Sequence, residues 1–141
     1  MAEDTVEGIE RTVHKTYEWL AALCDKLGIT DRAEAYRSLR AFLHLLRDRV
    51  TVDEAADFAA QLPLLLRGVF YEGWVPAKTP QRWRTREEFL QRLAQDAGLA
   101  GPTHASYTAT AIATLLRERL TEGQLENVLA MLPAEVQAVL T

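Results

Sequence analysis

Displaced by 70 residues, the sequence lies on itself without a gap. Leu20 falls on Leu90, Leu23 on Leu93 and Gly28 on Gly98. Leu45-Leu46-Arg47-Asp48-Arg49 falls on Leu115-Leu116-Arg117-Glu118-Arg119, Thr51 on Thr121, Leu62-Pro63 on Leu132-Pro133, and Val69 on Val139. Across residues 17–71 against 87–141, 15 of 55 positions are identical, and many others exchange one apolar residue for another. A repeat of this length constrains the fold more than any local motif, because one unit of about 60 residues buries only a marginal core by itself. We expect two related units, 1–71 and 85–141, joined by a linker over 72–84 and packed on each other around a shared core, about a pseudo-twofold axis.

Each unit reads as four helices, so the expected fold is all-α with about eight helices. Leu and Ala dominate, while Ile is sparse, and no clean period-two alternation appears. A helix-start pairing recurs instead: Asp4 with Glu7, Asp31 with Glu34, Thr51 with Glu54, Thr85 with Glu88, and Thr121 with Gln124. In such a box the first side chain accepts from an orphan backbone N–H, and the acid or amide three residues on reaches back. The spacing predicts helices over Thr5–Leu27, Arg32–Arg49, Val52–Gln61 and Leu64–Tyr71, then Arg86–Ala97, Ala105–Leu120, Glu122–Met131 and a last one from Pro133. Val6, Ile9, Val13, Leu20, Leu23 and Leu27 form one stripe of the first helix, with Gly28 as its left-handed stop.

The punctuation of this pattern resembles that of a known family. The residues are Leu45-Leu46-Arg47-Asp48-Arg49-Val50-Thr51, Glu54-Ala55, Gln61-Leu62-Pro63, Tyr71-Glu72-Gly73-Trp74 and Glu87-Glu88-Phe89-Leu90, with a weaker second copy ending Met131-Leu132-Pro133. The chain is similar, from about Tyr17 to its end, to the bacterial family called domain of unknown function 2267. The resemblance implies an all-helical bacterial or archaeal protein of two related halves. It brings no activity, cofactor or catalytic residue with it. The second copy departs at Met131, which stands where Gln61 does, and it lacks a Tyr-Glu-Gly-Trp counterpart.

Chemistry is sparse. The histidines His14, His44 and His104 and the single Cys24 never stand at the i, i+3 or i+4 spacing of a convergent metal site, and no acid lies three residues before a histidine. Cys24 reads as a small buried hydrophobe. Ser38 and Ser106 lie inside helical segments, with no nucleophile elbow and no glycine-rich phosphate loop. No catalytic motif is found, so the reading leans away from an enzyme, with a metal-dependent enzyme as the weakest of three readings, and no metal or cofactor is expected. Sixteen basic against twenty acidic residues leave a charge of −4, which argues against nucleic acid. The segments after the two Leu-Pro corners are too apolar for a recognition helix. No apolar run approaches a membrane span, the first residues are acidic where a secretory leader is basic, and one cysteine suits a reducing compartment, so a cytoplasmic location is expected.

The linker holds the most unusual composition. Trp74, Lys78, Arg82, Trp83 and Arg84 interleave aromatic and basic side chains, as on a surface that binds an anion or a partner by stacking and charge. The competing reading, which we favour, has the indoles plug the seam between units and the arginines pair with acidic helix faces. Arg47 and Arg49, repeated as Arg117 and Arg119, suit the last turn of their helices or bonding to the next one. Leu64, Leu65 and Leu66 cannot all face one side of a helix, so apolar surface is left for a partner. The leading expectation is a helical interaction or scaffold protein that binds a protein partner or itself as a homodimer. The alternative is a small-molecule or anion-binding module using the seam and the linker.

Overall fold

The computed structural model describes residues 4–141. Eight α-helices follow one another: α1 Glu7–Leu27, α2 Arg32–Arg49, α3 Val52–Ala59, α4 Leu64–Tyr71, α5 Arg86–Ala97, α6 Pro102–Arg119, α7 Gln124–Leu129 and α8 Ala134–Leu140. A single 3-10 turn, Pro76–Lys78, lies between α4 and α5, and no strand occurs among the described residues. The fold is all-helical, with the helices packed against each other.

Three of the five start signals act as caps. The Asp31 carboxylate accepts from the Ala33 N–H at 2.9 Å, and the Thr51 hydroxyl accepts from the Glu54 N–H at 3.2 Å. Thr85 and Glu88 close a full reciprocal box, at 3.1 Å one way and 3.2 Å the other. The other two pairs do not cap. α1 begins after Val6 with no side-chain cap. At α7, Gly123 takes φ +87 and carries the chain past Thr121, so the helix begins at Gln124 instead of Glu122. Pro102 starts α6 three residues before Ala105, because its fixed φ suits the first helical turn and its missing N–H costs nothing there.

The stops agree closely at positions 70 apart. Gly28 and Gly98 sit at φ +69 and +71, in the left-handed region that glycine adopts without strain. Behind them the Ile29 N–H reaches the Cys24 carbonyl at 3.1 Å, and the Leu99 N–H reaches that of Ala94 at 2.8 Å. Pro63 and Pro133 share one backbone geometry, φ/ψ −54/148 and −56/145. Residues 51–70 and 121–140 carry the same order of buried and exposed positions throughout.

Packing follows the same correspondence crosswise. α1 lies on α6 and α5 lies on α2, while α2 meets α6 and α3 meets α7. One continuous core joins all of them, with Trp19, Leu23, Leu39, Phe42, Phe89 and Leu93 at most 2% exposed. Phe42 of α2 meets Phe89 of α5 edge to face, centroids 6.2 Å apart. Lys26 of α1 pairs with Glu118 of α6 at 2.7 Å, and the Tyr107 hydroxyl of α6 donates to the Lys26 carbonyl at 3.0 Å. The apolar faces of α1 and α2 are therefore covered by α6 and α5.

Candidate functional site

The linker residues do not gather into one exposed surface. Trp83 is 3% exposed, its ring against Phe89 with centroids 5.5 Å apart. Arg49 holds it from the other side, with its guanidinium 5.6 Å from the ring centre and its Nε donating to the Trp83 carbonyl at 2.9 Å. The Trp83 ring is therefore not open for stacking, because the indole is used in packing α5 onto α2. Trp74 is half-buried and leans on Tyr71, centroids 5.3 Å apart. Lys78 lines a small depression with Asp48, Gly73, Val75 and Gln81, while Arg82 and Arg84 are exposed.

The repeated arginines bond onward to other helices. Arg47 is 5% exposed. Its Nη1 donates to the Phe70 carbonyl at 2.8 Å and the Glu72 carbonyl at 2.7 Å, which satisfies the end of α4. Its Nε and Nη2 hold the Asp48 carboxylate at 2.8 and 3.0 Å. Arg117 does the same for α8, donating to the Leu140 carbonyl at 2.7 Å and to Glu126 at 2.8 Å. Both positions are structural clamps.

His14 approaches Glu18 at 3.5 Å, and His104 approaches Glu34 at 4.0 Å. Among the described residues no three His, Cys, Asp or Glu side chains converge as metal ligands. Burial raises the Cys24 thiol pKa, with nearby Asp25 adding to it, so the nucleophilic thiolate is disfavoured. His44 Nε2 lies 2.7 Å from the Val69 carbonyl, which only accepts, so Nε2 carries the proton. Burial holds this imidazole below its ordinary 6.5, and Arg47 and Arg40 reinforce the shift against the opposing bond to Val69. The unfolded chain then binds more protons at this site than the folded one. His44 therefore contributes stability that is present above about pH 6.5 and is lost as pH falls through its lowered folded pKa. Glu72, lowered by its bond to Arg40, and Glu88, lowered by the Arg84 and Thr85 N–H groups, act in the same sense below the ordinary carboxylate range. Thermal melts from pH 8 downward should fall towards acid, and His44→Gln should flatten the part that sets in below about pH 6.5. A slope unchanged by that substitution would contradict the assignment.

The feature that stands out is an apolar face on the first half. The stripe expected along α1 is only partly covered: Trp19, Leu20 and Leu23 are buried, but Val6 is 60% and Ile9 57% exposed. Every described residue from Asp4 to Arg11 is exposed. α4 begins beside them, where the Leu65 N–H donates to the Thr12 hydroxyl at 2.9 Å. Leu66 is fully buried, whereas Leu64 is 62% and Leu65 41% exposed. Between α1, α2 and α4 lies a groove of about 580 Å³, whose walls include Val13, Tyr17, Leu20, Tyr36, Leu65 and Val69. Arg32 stands at this groove, its guanidinium 4.8 Å from the centre of the Tyr17 ring.

The positions 70 residues on are an internal comparison. Tyr17 corresponds to Glu87, Tyr36 to Ser106, Leu64 to Ala134 and Leu65 to Glu135. Glu135 accepts from the Arg86 N–H at 3.4 Å, so the corresponding place carries a carboxylate at the start of α5. Val13 corresponds to Trp83, which the fold buries. The residues of this face were readable one by one, and the contrast between Leu64-Leu65 and Ala134-Glu135 is visible once the repeat is aligned.

No helix among the described residues is long and apolar enough to cross a membrane. Among curated proteins no relative matches the chain. The family described as an uncharacterized conserved protein, DUF2267, matches residues 16–139, which takes in all of α2 to α7 and most of α1 and α8. The chain belongs to the DUF2267 family.

Proposed function

We propose that this is an interaction protein without chemistry of its own, built from two tandem related units, which docks a partner on the apolar face of α1 and α4. The observation that carries this reading is the contrast between equivalent positions. Ala134 and Glu135 serve the fold where Leu64 and Leu65 stand in the first half, so packing does not require exposed leucine there. Contiguous exposed apolar surface of this kind marks a place of association. The bare turns of α1 and the adjoining groove extend it. A cytoplasmic, prokaryotic setting is part of the same proposal, supported by a single buried Cys24 and by the family resemblance. The alternative, an anion or small-molecule module on the seam and the linker, has lost support at Trp83, whose ring is closed off.

Photocrosslinking in the source cells tests the docking reading. A photoreactive side chain at Leu64 should give a discrete protein adduct, and the same group at Ala134 should give none. Absence of adducts at Leu64 above the Ala134 background would overturn the reading.

A further inference from the structure

We propose that the partner on this face is a second copy of this chain, in a twofold dimer where the first turns of each α1 lie in the groove of the other. The inference rests on the docking reading above and adds its occupant. One chain carries both halves of the contact on one side: an exposed apolar segment, Val6 and Ile9, and an apolar groove bounded by Val13, Tyr17, Tyr36 and Leu65. A surface that holds a knob and the hole for it, side by side, is complementary to its own copy under a twofold rotation, and every contact is then made twice.

The spacing of the segment suits a helical partner. Val6, Ile9, Val13, Thr16, Leu20, Leu23 and Leu27 keep the 3-4 alternation of a coiled-coil seam along the whole of α1. From Thr16 to Leu23 that seam is filled by the chain's own helices, whereas at Val6 and Ile9 it is open. The same seam thus continues from a filled to an unfilled stretch, and a second helix is the shape it accepts.

Charge selects this partner over others. The molecule is acidic overall, so copies repel at most orientations. The groove wall itself carries one exposed cation, Arg32, which is in no ion pair among the described residues. The exposed turns carry Glu7 and Glu10, and Glu10 likewise has no ion pair among the described residues. Docking the α1 segment of one copy into the groove of the other brings Glu10 towards Arg32. At the corresponding position of the second half Pro102 replaces Arg32, so that cation is absent there.

Sedimentation equilibrium of the full chain tests the proposal. The expected result is a reversible monomer–dimer equilibrium. Ile9→Glu and Leu65→Glu should each raise the dissociation constant at least about tenfold, with helical content unchanged. Glu10→Arg and Arg32→Glu should each weaken the dimer, and the two together should recover most of the loss, a rescue that a merely structural role would not give. A chain that stays monomeric up to about 1 mM overturns the proposal. So does a dimer indifferent to Ile9, Leu65 and the Glu10–Arg32 exchange. If the chain stays monomeric while Leu64 still crosslinks to a different protein, self-occupancy fails and the docking reading survives; if Leu64 gives no adduct at all, both fail.

Discussion

Arg47→Met should destabilise the protein by about 3 kcal/mol, at the lower end of what removing one partner of a buried charge pair costs, since Asp48 keeps some contact with water. Methionine fills the space of the aliphatic stem but donates no hydrogen bond. The Phe70 and Glu72 carbonyls lose their donors, and the Asp48 carboxylate loses both of its bonds to the guanidinium. Arg117→Met provides the comparison at the corresponding position. Its side chain is 31% exposed, and it satisfies one carbonyl and one exposed glutamate. Water replaces most of those bonds, so a cost nearer 1 kcal/mol is expected. Urea denaturation of both variants measures the difference. Equal costs would contradict the clamp assigned to Arg47.

Trp83→Ala should cost about 3–5 kcal/mol, the range for truncating a large aromatic in a core. The ring is 3% exposed, lies between Phe89 and Arg49, and fastens α5 to α2. Its Nε1 has no hydrogen-bond partner in the protein, so the apolar area of the ring outweighs an unpaired N–H. Trp83→Phe should therefore retain much of the stability, while Trp74→Ala, at a half-buried ring, should cost clearly less than Trp83→Ala. Denaturant unfolding ranks the three. A Trp83→Ala protein as stable as the wild type would return the indole to the surface and revive the linker as a binding platform.

Helix positions were legible because their signals are local. Gly28 and Gly98 end helices through φ alone, Leu62-Pro63 and Leu132-Pro133 form corners through the fixed proline φ, and Thr85 with Glu88 closes its box within four residues. Local signals also compete with each other, which is why Thr121 with Gln124 failed. At α7 the positive φ of Gly123 decided the start.

Properties set by distant contacts were not legible. An aromatic among arginines has one composition whether it stacks on a ligand or fills a seam, and only the arrival of α2 decided for Trp83. Helical period told which side of α1 is apolar but not how far the body beneath it extends, so Val6 and Ile9 looked equivalent to Leu20 and Leu23. Arg47 lies in the last turn of α2, where a cation opposing the helix dipole is a sufficient reason for its presence. That it caps α4 instead depends on a fold-back that sequence spacing does not encode.

Thermal unfolding measured against protein concentration tests the central claim most directly, with the wild type beside a Leu64→Ala/Leu65→Glu variant that carries the second half's residues in the first. Association that favours the folded state makes Tm rise with concentration. The account predicts a rising Tm for the wild type, a flat Tm for the variant, and agreement of the two at high dilution, because exposed leucines contribute little to the monomer. A flat wild-type Tm, or a variant that melts far below the wild type at dilution, would contradict it.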